Sequence, residues 1–476
     1  MYGKFGIFRS GEWVKGGEKI EVFSPVSEES LGTIAAANHD DTSAAIDAAY
    51  NALDILQEMG GFARADALHQ IADEMNARTD EAARMISIET GKPLSQSVRE
   101  WSLSVDQYRW YAEEARRIYG RIVESRVPGG RFEITKEAVG VVGAFTAWNF
   151  PASLPARKIA PAVAAGCPVV LRPSSQTPGV AMVIFDCMRA GNLPDGAVNL
   201  VVGSTANTYA PIMADPRVRK VSLTGSTRVG QQMIRDAANT LKKVSMELGG
   251  NAPCIIYDDA DLGAVLDVCI PSKFGNAGQV CVTPDRFFVH NNIHDMFVTE
   301  FTKRAATLIL GDGLDSKTEM GPLINAHRVV EIDAIVNEAL AAGAKLETGG
   351  KRAARFSTGH FYEPTVISNV TDEMRVFSEE NFGPIAPISR FSDEDEVLTR
   401  ANSSPMGLSA YVFTQCPERA RRTVATLKSG MVGVNSFALA ASEAPFGGTK
   451  YSGLGREGGA EGIEDYLDTK LSQVVF

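Results

Sequence analysis

From Val139 onward, short apolar runs rich in β-branched residues alternate with helical segments, and this alternation limits the fold more than any other feature of the chain. "VGVVGAFTAW" is followed by "PARKIAPAVAAG", and "CPVVLRP" by "GVAMVIFDCMRAG". "AVNLVVG" leads through a further helical stretch to "RKVSLTGS". The helical "TRVGQQMIRDAANTL" then precedes "KKVSME", a strand that ends at Glu247. Strands separated by helices are joined by right-handed crossovers and lie parallel in one sheet. Such a sheet binds a dinucleotide at the carboxyl ends of its strands.

After Gly249-Gly250 a second α/β region begins, with strand-like "PCIIYDD", "RFFVHN", "EPTVI", "SAYVFT" and "GMVGVN" and helical "DMFVTEFTKRAATLIL" and "AHRVVEIDAIVNEALAAGA". A domain boundary is therefore expected near residue 248. Residues 42–118 carry apolar residues at helical spacing, with a stop at Gly91 and Pro93. Two β-like arms flank Gly129-Gly130 in "RIVESRVPGGRFEITKEA", a hairpin signal. That hairpin and the terminal "DYLDTKLSQVVF" either pack on their own domain or, as we expect, serve pairing with another subunit.

A length of 476 residues suits two or three domains, and a net charge of -11 argues against a nucleic-acid-binding face. An anionic small molecule would need locally placed cations. The longest uncharged apolar stretch, Ile159–Leu171, contains Pro161 and Pro168 and is too short to cross a bilayer. "MYGKFGIFRSGEW" lacks the apolar core of a signal peptide, so a cytoplasmic location is expected. The six cysteines are scattered without a CxxC pair and the six histidines without a cluster, so no disulfide framework and no metal are expected.

Cys281, in "FGNAGQVCVTPDRF", follows Gly275, Ala277 and Gly278, small residues that let backbone and substrate approach. It is either a small core residue or a nucleophile, and as a nucleophile it needs access and a field that favours the thiolate. Glu247 ends a strand where a sheet opens onto a cleft, as a base would or as an ordinary solvated glutamate would. Asn149, in "TAWNFP", also ends a strand. Its amide and the backbone N–H of Cys281 suit an oxyanion, although an Asn before Phe150-Pro151 also suits a turn. In "LTGSTRVG", Gly225 and Gly230 frame a helix start after a strand, where a pyrophosphate would sit, but the spacing is GxxxxG rather than GxGxxG.

Taken in order, "AWNFP", "RPSSQTP", "LTGSTRVG", "MELGGNAP", "GQVC", "EENFGP" and "PFGGTKYSGLGREGG" resemble the aldehyde dehydrogenase superfamily over nearly the whole chain. "KFGNAGQVC", "ELGGNAP" and "GLGREGGAEGIEDYL" look closest to its succinate-semialdehyde dehydrogenase-like branch. The resemblance implies a parallel-sheet dinucleotide-binding domain (1–120 and 139–247), an α/β catalytic domain (248–442) and a small β oligomerisation arm (121–138 and 458–476) of a homodimer or homotetramer. It implies NAD(P)-dependent oxidation of an aldehyde, with Cys281 forming a thiohemiacetal and then a thioester, Asn149 holding the oxyanion and Glu247 activating water. Glu380 is expected on the nicotinamide ribose with Phe382 beside it, and Trp148, Gly225, Ser226 and Leu248 along the cofactor path.

Two departures refine this. Arg172 stands where the family commonly has Lys, and Ser175 where NAD-preferring members often have Glu. Removing that carboxylate admits a 2′-phosphate, so NADP is expected to be accepted, alongside NAD. Of the two arginines and a serine that grip a distal carboxylate in the branch, one arginine matches Arg157. The other falls at Gly275, and the serine falls near Ala440-Ala441 with Ser442 adjacent. The expected substrate is a small acidic aldehyde: succinate semialdehyde, or sulfolactaldehyde. The alternatives are 2-oxoglutarate semialdehyde or a neutral short hydroxyaldehyde. Glu247 argues against a CoA-acylating enzyme, and the joint presence of Cys281, Glu247, Asn149 and Glu380 against a non-catalytic binding protein.

Overall fold

The computed structural model describes Tyr2 and residues 6–476. Its first sheet has eight strands, ordered Gly453–Leu454, Lys243–Glu247, Val218–Thr224, Val141–Phe145, Val169–Arg172, Val198–Leu200, Ile7–Arg9 and Glu12–Val14. The five central strands, Lys243–Glu247 through Val198–Leu200, are mutually parallel. Val141–Phe145 comes first of these in the chain yet lies third in space. The crossovers therefore leave it in opposite directions, which opens a crevice beyond its carboxyl end. Antiparallel strands close both edges.

Four helices precede the five central strands in the chain: α1 (His39–Glu58), α2 (Gly60–Ala77), α3 (Thr79–Thr90) and α4 (Leu94–Ala115). α3 stops at Gly91, which takes the left-handed conformation of a C-cap (φ 76°), as the Gly-Lys-Pro sequence requires. α5 (Ser153–Ala165) and α6 (Pro178–Met188) connect the central strands. Every residue of α5 is buried, because it is enclosed between the sheet and the helical layer. The Glu100 carboxylate on α4 accepts from the N–H groups of Ala152 and Ser153 (2.8 and 3.3 Å), where α5 begins. A second buried acid, Glu89, does the same at the start of α6, accepting from Gly179 and Val180. Both satisfy helix-start donors that have no partner within the helix.

The second sheet has seven strands, ordered Lys345–Thr348, Thr365–Ser368, Ile385–Phe391, Pro284–His290, Ala252–Ile256, Ser409–Phe413 and Met431–Val434. Only its first edge strand runs antiparallel. Phe287, Phe297 and Phe301 cluster beneath it with ring centroids 5.3–6.2 Å apart.

The two arms expected to serve assembly pair with one another: Leu467–Val475 runs antiparallel to Gly130–Ala138 over nine residues, and Arg121–Glu124 completes the sheet. The turn lies at Gly129 (φ 73°). This sheet exposes Ile122, Val123, Leu471 and Val475. Among the described residues, no helix is long and apolar enough to cross a membrane, and no cluster of three or more His, Cys, Asp or Glu is placed to hold a metal.

Candidate active site

Two cavities meet at Thr224, which lines both. The larger, about 820 Å³, is the crevice at the switch point of the first sheet. Its walls come from the ends of three strands: Phe145–Ala147, Arg172 with Ser174–Gln176, and Leu223–Ser226. The helix Thr227–Ala238 starts there, capped by the Ser226 hydroxyl, which accepts from the Val229 N–H. Gly225 thus stands at a helix N-terminus, where backbone donors and the helix dipole suit a phosphate. Gly230 does something else: a Cβ there would lie 2.5 Å from the Leu248 side chain, so this glycine lets Leu248 pack on the helix. Arg172, Arg228 and Arg235 line the crevice and, among the described residues, no Asp or Glu does. Arg172 donates to the Gly203 carbonyl (3.3 Å), its Nε has no partner, and burial lowers its pKa. The residues present therefore fit an anionic nucleotide.

The smaller cavity, about 390 Å³, is lined by Arg157, Glu247, Leu248, Gly275, Cys281 and Phe446, among others. It brings together Arg157, Glu247 and Cys281, which span more than 120 positions of the sequence. Cys281 follows an unusual backbone: Asn276, Ala277 and Gly278 are three consecutive left-handed residues (φ 48°, 54° and 71°). For the first two, a Cβ makes this conformation costly, by roughly 1–2 kcal/mol each. Packing holds it. A Cβ at Gly278 would meet the Gly383 carbonyl at 2.1 Å, and one at Gly250 would meet the Cys281 carbonyl at 2.2 Å. The Cys281 loop is therefore pressed between two backbones that only glycine allows so near.

The same contacts place Glu380. Its carboxylate accepts from the Gly250 N–H (2.8 Å), and it lies 2.6 Å from where a Cβ of Gly249 would be. Phe382, left-handed at φ 47°, turns its ring edge-on to Trp148 with centroids 5.6 Å apart. Arg328 fixes this loop by donating to the Asn381 and Phe382 carbonyls, and Asp285, paired with Lys273 at 2.8 Å, accepts from the Asn381 N–H.

Asn149 is buried. Its side-chain amide donates to the Gln279 carbonyl (3.1 Å), two residues before Cys281, and its Oδ1 has no partner. One amide N–H remains for another acceptor. The Asn149 carbonyl accepts from Lys92 (2.7 Å) and from the Asn276 amide (3.1 Å). Lys92 in turn pairs with Glu100 at 2.6 Å, both side chains being about 1% exposed. A buried pair of this kind locks the Asn149 turn, α4 and the start of α5 together. Sequence reasoning missed Lys92, Glu100 and Gln279, although Lys92 sits conspicuously between the helix stop Gly91 and Pro93.

Glu247 is 4% exposed and its Oε2 has no hydrogen-bond partner. Burial, and next the nearby Glu457, hold its carboxyl well above the usual range, against the pull of Lys158, Arg157 and Arg456. Burial, followed by the negative fields of Glu380 and Glu247, pushes the Cys281 thiol up to about 12, and Arg157 opposes them. The surroundings of Cys281 thus favour the thiol, contrary to the thiolate-favouring field that a nucleophile calls for. Glu380 is itself raised to about 8, chiefly by burial. Cys281 and these two acids therefore compete for protons at one place.

Arg157 is 6% exposed, stacks on the Phe446 ring at 4.2 Å, and has an unpartnered Nε. It forms no ion pair among the described residues. Its neighbour Lys158 does, with Glu457 at 2.5 Å. Ala440 and Ala441 line the cavity, but Ser442 turns away: its hydroxyl accepts from Gln107 at 3.1 Å. At Gly275 a Cβ would clash with nothing, its nearest neighbour being Gln96 Oε1 at 4.0 Å.

A strand-end nucleotide crevice joined to a cavity holding a cysteine and a buried glutamate describes an oxidoreductase with a thiol at its centre. The chain belongs to the aldehyde dehydrogenase family, whose profile matches residues 13–472. It is 42% identical over 454 residues to a probable succinate-semialdehyde dehydrogenase [NADP(+)] of Sinorhizobium fredii, covering 95% of this chain and 92% of the relative. It is 41% identical to a 3-sulfolactaldehyde dehydrogenase of Pseudomonas putida, covering 97% and 95% of the two chains. The crystal structure of succinate-semialdehyde dehydrogenase from Burkholderia pseudomallei superposes with a TM-score of 0.97 at 40% identity, covering 99% of this chain and 98% of that one.

Proposed function

We propose that this chain oxidises a small anionic semialdehyde to the carboxylic acid, using NADP or NAD. The observation that carries the reading is Arg157: a buried cation that lines the cavity with Cys281 and Glu247 and forms no ion pair among the described residues. A buried charge without a partner is costly, so the site suits an aldehyde that brings an anion. Succinate semialdehyde and sulfolactaldehyde have that character, and relatives named for both are about equally similar to the chain.

In this reading Cys281 Sγ bonds to the aldehyde carbon while its proton passes to a neighbouring carboxylate. The free amide N–H of Asn149 and the backbone N–H of Cys281 hold the oxyanion. The nicotinamide, when bound, supplies the hydride acceptor. Arg172, Ser175, Gly225 and Ser226 would hold the nucleotide's phosphates and adenosine end, while Glu380, Phe382, Trp148 and Leu248 would hold its nicotinamide end. Glu247 then removes a proton from water as the water oxygen bonds to the thioester carbon, and the Cys281 C–S bond breaks to release the acid. A raised carboxyl pKa makes Glu247 a stronger base once ionised. The absence of acids in the crevice, with three arginines there, favours acceptance of a 2′-phosphate. The small three-stranded arm sheet, with its exposed apolar edge, would join subunits into a dimer or tetramer.

The test is the rate at which reduced nicotinamide appears with succinate semialdehyde and with butanal, using each cofactor. Preference for the anionic aldehyde, lost in Arg157→Ala, supports the reading; equal use of both aldehydes rejects it.

A further inference from the structure

The charges lining the aldehyde cavity can be paired off. Lys92 is neutralised by Glu100 and Glu457 by Lys158. Glu247 is the one carboxylate left over. Two cations are also left over, Arg157 on α5 and Arg99 on α4. Arg99 is exposed, and among the described residues it forms no hydrogen bond or ion pair. It also lines an adjoining pocket that shares Pro271, Ser272 and Val282 with the first, so it stands where the two join.

The wall that carries Arg99 is the one Gly275 faces. The nearest atom to a Cβ at Gly275 is Oε1 of Gln96, 4.0 Å away, and the same oxygen accepts from the Asn276 N–H at 2.9 Å. Gln96 and Arg99 lie three residues apart on α4, hence on one face. Gly275 leaves open space against that face, and the next cation along it is Arg99. α4 and α5 pack directly on each other, so the two unpaired arginines belong to one rigid helical unit.

We propose that Arg99 is a substrate-binding residue that, with Arg157, holds the oxyanionic end of the aldehyde. The inference rests on the anionic-semialdehyde reading above. With no side chain at Gly275, the cation on this side of the cavity is the one that α4 carries. A guanidinium offers paired N–H donors to a carboxylate or sulfonate, and its exposure at the cavity mouth lets it meet the anion as it enters.

Steady-state kinetics of wild type, Arg99→Ala, Arg99→Lys and Arg157→Ala, with succinate semialdehyde and butanal at saturating NADP, test this. Arg99→Ala should raise KM for succinate semialdehyde about tenfold, with a smaller change in kcat, and lower the anionic-to-neutral ratio of kcat/KM by a similar factor. Arg99→Lys should restore most of that ratio, which a merely structural disturbance would not allow. If the wild type prefers the anion and Arg157→Ala loses the preference while Arg99→Ala keeps it, the role of Arg99 is overturned and the reading of the site survives. If the wild type shows no preference for the anion, the reading and the inference fall together.

Discussion

The crevice and the aldehyde cavity are built by opposite means. The crevice is made of strand ends and the main chain around them, and its arginines Arg228 and Arg235 are exposed. The cavity is made of side chains from distant segments, and its charged groups other than Arg99 are buried. A surface of backbone and exposed arginines can tolerate substitution and still bind a nucleotide. A cavity of paired and unpaired buried charges cannot change one member without stranding another. The sharpest contrast should come from Cys281→Ala. We expect turnover to fall at least about 10⁴-fold, because no other group on this wall can form the covalent intermediate. Nucleotide affinity, measured by fluorescence titration, should stay within a few-fold of wild type. Loss of nucleotide binding as well would show that the two cavities are not separable.

Glu247→Gln is expected to lower kcat by about 10²- to 10⁴-fold while leaving a rapid first turnover of reduced nicotinamide. A missing burst would mean that Glu247 acts before the thioester and not after it. The pH dependence has a definite sign. Glu247 is held above the ordinary carboxylate range and Cys281 is pushed up to about 12, so both become more active as protons leave. Wild-type kcat/KM should climb from pH 6 to pH 9 with no fall at the alkaline end. A maximum near neutrality would contradict these environments.

Lys92→Met tests the other half of the contrast through stability. It leaves the Glu100 carboxylate buried without its cation, a loss of about 3–5 kcal/mol. It also removes one of the two donors on the Asn149 carbonyl, so activity should fall along with the melting temperature. The double variant Lys92→Met/Glu100→Met should regain part of the stability but not the activity, since the Asn149 carbonyl still lacks its Lys92 donor. A single variant as stable as wild type would show that the pair is not holding the turn.

Legibility in the sequence followed the same division. The parallel strands of the first sheet were readable because period, turn residues and strand-end motifs are local. Cys281, Glu247 and Asn149 stood out because each closes a local pattern. Lys92 and Glu100 did not, since a lysine and a glutamate eight residues apart reveal nothing until α4 folds back on the Asn149 turn. Ser442 could be placed beside the cavity but not turned away from it, because its partner Gln107 lies 335 positions earlier. The left-handed run Asn276–Gly278 escaped notice for a different reason: Asn276 and Gly278 tolerate it but Ala277 does not advertise it, and packing against Gly383 helps impose it. Arg99 looks like any solvated helix arginine until the cavity beside it is known.

The smallest expected effect lies in the crevice. Ser175→Glu adds a carboxylate to a wall that has none. It should lower kcat/KM with NADP about 10- to 100-fold, by repulsion of a 2′-phosphate, and leave NAD within a few-fold. The crevice would then discriminate by one charge at its rim, whereas the cavity depends on every charge it encloses. Equal losses with both cofactors would place Ser175 against a part of the nucleotide that the two share. The arginines around it would then be the sole source of any preference, and Arg228→Ala, measured the same way, would identify which of them provides it.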